Sequence, residues 1–330
     1  MLKTFLELKR RGVIGINERN VRYVNANNPR RLVRLVDDKV ETKRLAQQAG
    51  IPTPDLIGSI ANARDMRELD TLTYREDGFV IKPAQGAQGN GIMVVTGQLK
   101  GGFRLANGRR ITKDEIKFHI NNVLSGMYSL GGQPDVAMLE YRVKFDPVFE
   151  TVSFKGVPDI RIVTFKGIPV MAMLRLPTAE SDGKANLHKG GVGVGLDIAT
   201  GAARSAMQHD SSIDAHPDTA APLRDIQVPD WDDILLMAAR AYDVAGLGYL
   251  GVDIVLDEQR GPLLLELNAR PGLSIQIANQ LGVKDRLNAA THAADEKARD
   301  APARVALAKS LYTDADSADI ADEAAVKQAS

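Results

Sequence analysis

The chain has 330 residues, which is enough for about two domains and a sizeable hydrophobic core. It carries 42 lysine and arginine residues against 42 aspartate and glutamate residues, so no net basic field favours nucleic acid, and specific small-molecule chemistry is expected. It contains no cysteine, which excludes disulfides, thiolate nucleophiles and cysteine-based zinc sites.

The first 50 residues are predicted to be mainly helical and basic. Charges interrupt the apolar residues of MLKTFLELKRRGVIG, so this start lacks the core of a secretory signal, and no later run reaches transmembrane length. These features predict a cytoplasmic protein. The segment VDDKVETKRLAQQAG predicts a helix that Asp37 or Asp38 caps and that ends at Gly50, followed by extended IPTP.

Residues 80–95, VIKPAQGAQGNGIMVV, predict a strand, a glycine loop and a second strand. The loop contains Gly86, Gly89 and Gly91. Glycines let backbone N–H groups come close to phosphate oxygens, and Lys82 adds a positive charge at the strand end. The order of lysine and glycines fits neither the P-loop nor the dinucleotide fingerprint. The segment therefore indicates either a phosphate-binding loop of another kind or a tight hairpin with an exposed lysine.

The middle of the chain predicts a helix and then several strands. The helix is expected in TKDEIKFHINNVLSGMYS, and the strands in VAMLEYRV, PDIRIVTF and PVMAMLRLP, before a glycine-rich stretch around LHKGGVGVGLDIATG. A further helix is predicted from about Trp231 to Val244. After NARPGLSIQIANQLG the chain has few large apolar residues, so its far end is predicted to be mobile or a loosely docked helix.

The sequence GVDIVLDEQRGPLLLELNARPG predicts a β-hairpin that carries three oxygen-bearing side chains. Glu266 and Asn268 are two residues apart and so share one face of a strand, and with EQRG as the turn Asp253 lies roughly opposite Glu266. Two carboxylates and an amide oxygen suit Mg²⁺, which completes its shell with water and substrate phosphates. The alternative is that both acids face water, although like charges placed opposite each other destabilise a sheet. The hairpin therefore suggests a nucleotide site.

Six motifs follow one another in the order DDKVETKRLAQQAGIPTP, VIKPAQGAQGNG, MLEYRV, PDIRIV, KANLHKGG and GVDIV with LLLELNARPGL. Together they resemble the ATP-grasp superfamily, most closely its ribosomal-protein glutamyl ligase branch, the α-L-glutamate-ligase-like proteins. The resemblance covers about Asp37 to Leu273. It implies an α+β fold in which two α+β subdomains grip ATP between them, after a shortened N-terminal domain.

On this basis the chain divides into four parts. Residues 1–36 would form a short helical segment, 37–135 the subdomain with the phosphate loop, 136–292 the subdomain with the adenine and metal sites, and 293–330 a polar tail.

The resemblance also implies which residues bind the nucleotide. They are Lys39, Lys82, Gly86, Gly89, Gly91, Glu140, Tyr141, Asp159, Lys184 and Asn186. The two early lysines would hold the ATP phosphates under the glycine loop, and Glu140 and Tyr141 would line the adenine pocket. Asp253, Glu266 and Asn268 would bind two Mg²⁺ ions that bridge the phosphates, with Mn²⁺ as an alternative ion.

In the chemistry of this family a substrate carboxylate attacks the γ-phosphate of ATP, and an amine then opens the acylphosphate to an amide. Positioning and charge neutralisation supply most of the rate of phosphoryl transfer, so no side-chain nucleophile is needed. Arg175 and Arg161 are candidates to orient the carboxylate, with a structural ion pair as the alternative role of Arg161. His188 is a candidate near the acceptor amine, with packing as its alternative role.

Only 38 residues precede Lys39, whereas glutamyl ligases carry a whole domain before this motif. The substrate side is therefore expected to be built differently, to be completed by a partner protein or a second copy of the chain, or to be open to a large substrate. Sugar-transfer-associated ATP-grasp proteins share this short start. Three functions stay open: a ligase acting on an amino acid, peptide or protein, an enzyme modifying a cell-envelope or sugar-linked substrate, and a nucleotide-binding subunit without ligase activity.

Overall fold

The computed structural model describes residues 2–86, 89–129, 132–296 and 300–312. Six strands form the first sheet: β1 Leu56–Ile60, β2 Phe79–Pro83, β3 Met93–Leu99, β4 Gly102–Leu105, β5 Arg110–Ile111 and β6 Ala137–Glu140. Seven strands form the second: β7 Asp159–Phe165, β8 Ile168–Leu176, β9 Val192–Leu196, β10 Ala203–Gln208, β11 Ser211–Ser212, β12 Tyr249–Asp257 and β13 Gly261–Asn268.

The strand order is β1-β6-β2-β3-β4-β5 in the first sheet and β11-β10-β9-β8-β7-β12-β13 in the second. All of these named strands pair antiparallel with their neighbours. Each sheet has its own buried hydrophobic cluster. The chain thus contains two α+β units, as the motif order implied.

The α-helices are Leu2–Arg10, Ile16–Glu18, Asn25–Asn27, Arg30–Asp37, Lys39–Gln48, Leu69–Thr73, Lys113–Leu124, Trp231–Ala245, Ser274–Ala278 and Lys284–Glu296. Residues 301–312 are also helical. A π-helical turn spans Arg19–Val24, and 3₁₀ turns span Asp65–Glu68, Pro147–Val152 and Leu187–Lys189. In the described ranges, no helix is both long enough and apolar enough to cross a bilayer.

The helix Lys39–Gln48 begins and ends where its capping residues require. The Asp38 carboxylate accepts hydrogen bonds from the backbone N–H groups of Val40 and Glu41, at 2.9 and 3.1 Å. Gly50 follows the helix with a φ of 67°, a conformation that glycine adopts without strain. These contacts confirm the predicted helix and show that Asp38, rather than Asp37, caps it.

The N-terminal segment packs on the second sheet. Ile14, Tyr23 and Val24 are buried in the hydrophobic cluster of that sheet. Asn28 is buried too, and its side-chain amide donates to the backbone carbonyls of Tyr249 and Ala269, at 2.8 and 2.9 Å. The segment therefore helps to hold the backbone that leaves β13.

Two structural features bear on the predicted division of the chain. β6 pairs with β1 and β2, so the start of the second subdomain at residue 136 cuts a strand away from the sheet that contains it. Residues 301–312, assigned to the polar tail, pack as a helix in which Tyr312 is buried and donates a hydrogen bond to the carbonyl oxygen of Arg286. This agrees with the docked helix that was one of the two alternatives for the far end of the chain, and it docks although it has few large apolar residues. Residues 313–330 lie outside the described part.

Candidate functional site

The acidic hairpin of β12 and β13 has the predicted pairing of Asp253 with Glu266. Its turn is shorter than expected, and a β-bulge supplies the difference: Ile254 pairs with Leu264, whereas Asp253 pairs with Glu266, so Leu265 is the extra residue. Without the bulge, Asp253 would face Leu265 and the side chain of Glu266 would point to the other side of the sheet. The bulge therefore places all three oxygen-bearing side chains on one face.

Two neighbouring strands add arginines to this face. Asp253 pairs with Arg161 across β12 and β7, and Asp159 pairs with Arg175 across β7 and β8. Directly paired residues of antiparallel strands share a face, so the four side chains lie together.

Arg161 and Arg175 both bind the buried carboxylate of Asp253. Arg161 donates from Nε and Nη2 to the two carboxylate oxygens, at 2.7 and 2.5 Å, and Arg175 donates from Nη2 at 2.8 Å. Arg175 also binds Asp159 through Nε and Nη2. The Asp253 side chain is only 1% exposed, so this network lies in a low-dielectric environment that strengthens its ion pairs.

The balance between burial and the neighbouring arginines differs between the two aspartates. It raises the pKa of Asp159 to about 6, with Arg175 opposing this rise and the charge of Asp253 adding to it. Burial alone would also raise the pKa of Asp253, but the guanidinium groups of Arg161 and Arg175 outweigh it and hold that pKa well below its ordinary value. Asp253 is therefore the more firmly ionised member of the pair.

Lys39 joins the first sheet's glycine loop to the hairpin. Its ammonium group donates to the carbonyl oxygen of Gly86 at 2.5 Å and lies 3.8 Å from a carboxylate oxygen of Glu266. Asn268 donates to Asp253 and Glu266 at 3.3 and 3.4 Å. The glycine loop and the acidic hairpin therefore meet at one ammonium group, although Gly86 and Glu266 are 180 residues apart in the chain.

The hairpin donor set depends on the amide of Asn268. In the described part of the chain no three His, Asp or Glu side chains form a group that could hold a metal ion. The Glu266 side chain is 30% exposed, and rotation of the Asn268 amide would turn its oxygen toward the same space. Carboxylate and amide oxygens are suitable ligands for Mg²⁺, so these residues fit that ion.

A second buried cluster contains a lysine that sequence reasoning missed. Glu140 binds Lys82 at 2.5 Å and Lys43 at 2.7 Å, and all three side chains are at most 6% exposed. Burial alone would raise the pKa of Glu140, but the two ammonium groups outweigh it and lower that pKa. Lys43 lies four residues after Lys39 on the same helix, and this helical spacing was the available signal.

The glycine loop is anchored at both of its ends. At its start, the backbone N–H of Gln85 donates to the buried carboxylate of Asp135 at 3.1 Å. At its end, His119 Nε2 donates to the carbonyl oxygen of Gly91 at 2.9 Å, and a Cβ added at Gly91 would lie 2.6 Å from the Tyr128 ring. These contacts hold the two stems of the loop in place. Residues 87–88 lie outside the described part of the chain.

Residues 18–292 match the family described as sugar-transfer associated ATP-grasp. The chain belongs to the sugar-transfer-associated ATP-grasp family. The predicted superfamily and its α+β fold are therefore confirmed. A search of curated proteins gave no significant match.

Solved ATP-grasp structures also resemble the chain. The ligase PsnB bound to a minimal precursor is 14% identical, with a TM-score of 0.44, over 81% of this chain and 64% of that one. D-alanine–D-alanine ligase from Bacillus anthracis is 15% identical, with a TM-score of 0.42, over 83% of this chain and 65% of that one. The chain thus covers less than two thirds of the length of either ligase.

The remaining candidate residues of this ATP-grasp protein lie around the glycine loop and the Leu187–Lys189 turn. Lys184 forms an exposed ion pair with Asp182, and the Asn186 side chain accepts the backbone N–H of His188 at 2.9 Å. His188 Nε2 lies 3.5 Å from the hydroxyl of Ser274. None of these contacts involves the arginine network, so the structure leaves their nucleotide and catalytic roles as predictions.

Tyr141 and Asp159 have protein contacts that their predicted nucleotide roles did not anticipate. The backbone N–H of Tyr141 donates to the carbonyl of Asp55, and the Arg260 guanidinium lies 4.0 Å from the centre of the Tyr141 ring. Asp159 is bound by Arg175. Arg161 likewise has the structural ion pair that was its alternative role, with Asp253 as the partner.

Replacing Lys43 with methionine is expected to reduce the free energy of unfolding by about 1–3 kcal/mol, because Glu140 stays buried with one cation fewer. Urea denaturation at pH 7 measures this loss. Arg44→Met on the same helix is the matched control, since Arg44 is exposed and should change stability by less than about 0.5 kcal/mol. Equal effects of the two substitutions would show that the buried cluster contributes no specific stability.

Proposed function

We propose that the protein is an ATP-dependent carboxylate–amine ligase that forms an amide bond through an acylphosphate. The contact that supports this most directly is that of Lys39 with both the Gly86 carbonyl and Glu266. It brings a loop suited to phosphates next to side chains suited to Mg²⁺. A nucleoside triphosphate that binds together with Mg²⁺ needs the phosphate loop and the metal ligands at the same place.

The charges of the site suit an incoming metal–nucleotide complex. Three cations and three carboxylates contribute to it: Lys39, Arg161, Arg175, Asp159, Asp253 and Glu266. Their formal charges cancel. An added divalent cation would therefore need an anionic partner such as the ATP phosphates, and binding of the two together is favoured over binding of either alone.

Glu266 and Asn268 would hold Mg²⁺ together with one oxygen of Asp253. Among the described residues, Oδ1 of Asp253 accepts one hydrogen bond, from Arg161, whereas Oδ2 accepts three. Oδ1 is therefore the oxygen with capacity for a further ligand bond. The ion would supply neutralisation of the charge that develops on the phosphate oxygens.

The reaction would then proceed in two steps. An oxygen of the substrate carboxylate attacks the γ-phosphorus of ATP, and ADP leaves. The amine nitrogen next attacks the acyl carbon, phosphate leaves, and the nitrogen loses a proton to give the amide. The chain supplies positioning and charge, which are what phosphoryl transfer chiefly requires.

Arg161 and Arg175 would orient the substrate carboxylate and stabilise the tetrahedral intermediate. Asp159 and Asp253 hold both guanidinium groups through Nε and Nη2. Within the described ranges Nη1 of each has no hydrogen bond, which leaves that edge for the substrate. His188 would lie on the acceptor side, next to Ser274.

The test is ADP release by the purified protein with Mg²⁺, ATP and pooled amino acids, in the presence of hydroxylamine. Carboxylate-dependent ADP release that yields a hydroxamate is expected, because hydroxylamine traps an acylphosphate. Glu266→Gln serves as the blank. ATP binding without carboxylate-dependent ADP release or hydroxamate would contradict ligase activity on small substrates and favour a nucleotide-binding subunit or a partner-dependent enzyme.

The family match favours a second candidate, an enzyme that modifies a cell-envelope or sugar-linked substrate. The chemistry would be the same, with a carboxylate or an amine carried on the larger molecule. Repeating the hydroxamate assay with uronic acids as the carboxylate, and measuring ADP release with amino sugars in place of hydroxylamine, distinguishes this candidate from an amino acid, peptide or protein ligase. A partner protein or a second copy of the chain would then complete the substrate side of the cleft.

A further inference from the structure

The chain that leaves β13 folds back over the face of the second sheet that carries Asp253. Gly251 and Asp253 are two residues apart on β12, so a side chain at position 251 would point to the same face as Asp253. A Cβ added at Gly251 would lie 2.7 Å from Cβ of Pro271, so Pro271 covers this face. Arg270 immediately precedes Pro271, and its Cα is at most about 7 Å from that of Asn268. Arg270 therefore stands beside the proposed metal ligands.

The N-terminal segment holds the backbone on both sides of Arg270. The buried side-chain amide of Asn28 donates to the carbonyl oxygen of Ala269 at 2.9 Å. Nη1 of Arg19 donates to the carbonyl oxygen of Pro271 at 2.8 Å. These donors are 241 and 252 residues away along the chain. The backbone at Arg270 is thus preorganised, as a residue that binds a ligand requires.

Arg19 is a nearly buried cation that has only neutral partners. The residue is 9% exposed, its Nη1 binds the Pro271 carbonyl, and its Nε and Nη2 bind the amide oxygen of Asn20. No carboxylate among the described residues forms an ion pair with it. Burial lowers the pKa of Arg19, Tyr249 opposes this effect, and the positive charge of Arg270 adds to it. A desolvated cation without a counterion costs free energy, which an anionic ligand would recover.

Arg270 is exposed and forms neither a hydrogen bond nor an ion pair with any described residue. It acts electrostatically on Asp37, because burial raises the pKa of that carboxylate and the charges of Arg270 and Lys39 oppose the rise. Lys39 in turn contacts the glycine loop and Glu266. The Arg270 guanidinium therefore lies next to the candidate site, and its five N–H donors can serve a ligand there.

We propose that Arg270, with the positive charge of Arg19 beside it, binds a second anionic group of the ligase substrate, a carboxylate or a phosphate that takes no part in the reaction. This rests on the proposed function, in which Arg161 and Arg175 hold the reacting carboxylate. A guanidinium binds a carboxylate or a phosphate through two parallel N–H donors, so Arg270 suits either group. The substrate class is accordingly a dicarboxylate or a phosphorylated carboxylate.

The first test is calorimetric titration of the full chain, saturated with Mg²⁺ and a non-hydrolysable ATP analogue, with glutarate and separately with its half amide, glutaramate. The two ligands have the same length and differ by one negative charge. Glutarate is expected to bind at least about fivefold more tightly than glutaramate. A parallel titration with 3-phosphonopropionate, which has a similar length, distinguishes a phosphate-bearing substrate from a dicarboxylate by the tighter of the two affinities.

Arg270→Gln should weaken glutarate binding by at least about fivefold and leave glutaramate binding unchanged. Arg67→Gln, which replaces an exposed arginine of the first unit, is the matched control and should change neither affinity. Arg270 makes no hydrogen bond in the described structure, so the melting temperature of Arg270→Gln should equal that of the wild type. Equal binding of glutarate and glutaramate, no saturable binding of any dianion, or unchanged dianion affinities in Arg270→Gln would each overturn the proposal.

Turnover separates failure of this proposal from failure of the ligase reaction. With ATP, Mg²⁺ and hydroxylamine, glutarate should yield hydroxamate with a higher kcat/KM than glutaramate, and Arg270→Gln should remove this difference through a higher KM for glutarate. Hydroxamate formation with equal kcat/KM for the two acids would overturn the role of Arg270 and keep the ligase. Charge-selective binding that Arg270→Gln abolishes, without hydroxamate from any carboxylate, would support the anion site and contradict the ligase reaction on small substrates.

Discussion

Replacing Glu266 with glutamine is expected to reduce Mg²⁺-dependent ADP release by at least about 100-fold while the fold stays intact. Glu266 is partly exposed and lies 3.8 Å from Lys39 and 4.0 Å from Arg161, so its neutralisation breaks no short ion pair. If Glu266 binds Mg²⁺ as proposed, the substitution removes the negative charge of the most exposed ligand. ADP release over a range of Mg²⁺ concentrations, together with the melting temperature, measures both effects.

Glu258→Gln is the matched control for this experiment. Glu258 lies in the turn of the same hairpin, is exposed, and is far along the strands from the arginine network. It should retain the activity of the wild type. ADP release by Glu266→Gln within tenfold of the wild type, with the same dependence on Mg²⁺, would contradict the metal assignment of the hairpin.

Replacing Asp253 with asparagine is expected to destabilise the protein by about 3–5 kcal/mol and to abolish turnover. The substitution keeps the shape of the side chain but removes the charge that Arg161 and Arg175 share. Among the described residues, Arg175 would then retain its ion pair with Asp159, and Arg161 would retain only the 4.0 Å approach to Glu266. Urea denaturation at pH 7 measures the loss, and a change below about 1 kcal/mol would contradict the shared role of Asp253.

Asp257→Asn provides the comparison for this loss. Asp257 lies on the same strand and is equally buried, at 1% exposure, but it accepts backbone N–H groups from Lys144, Gln259 and Arg260. The asparagine oxygen can keep the bonds from Gln259 and Arg260 to Oδ1, whereas its NH2 group loses the bond from Lys144 to Oδ2, so we expect a cost of about 1–3 kcal/mol. The difference between the two substitutions isolates the contribution of the arginine pairs.

Local signals in the sequence predicted much of the fold. The helix beginning at Lys39 has its acidic cap and its terminal glycine, and the predicted helix in TKDEIKFHINNVLSGMYS is observed as Lys113–Leu124, capped by Thr112 and Glu115. The strand–glycine loop–strand pattern is observed between β2 and β3. These features rest on neighbours a few residues apart, which is why the sequence alone reveals them.

The ion-pair partners were not predictable in the same way. The sequence suggests that Arg161 and Arg175 orient the substrate carboxylate. In the structure both arginines bind Asp253, which is 92 and 78 residues away along the chain. The helical spacing from Lys39 indicates the position of Lys43, but its partner Glu140 is 97 residues away along the chain. Such pairings depend on which strands lie side by side, and no local pattern records strand order.

The sequence by itself determined the ATP-grasp superfamily and its α+β fold, because six motifs in a fixed order carry that information. The tertiary structure alone decided how they meet. The bulge at Leu265 turns Glu266 toward Asp253, and the sheet order brings Arg161 and Arg175 to the same carboxylate. Side chains in a strand alternate between the two faces of the sheet. One inserted residue and the choice of neighbouring strand therefore decide whether the acidic and basic side chains lie on the same face.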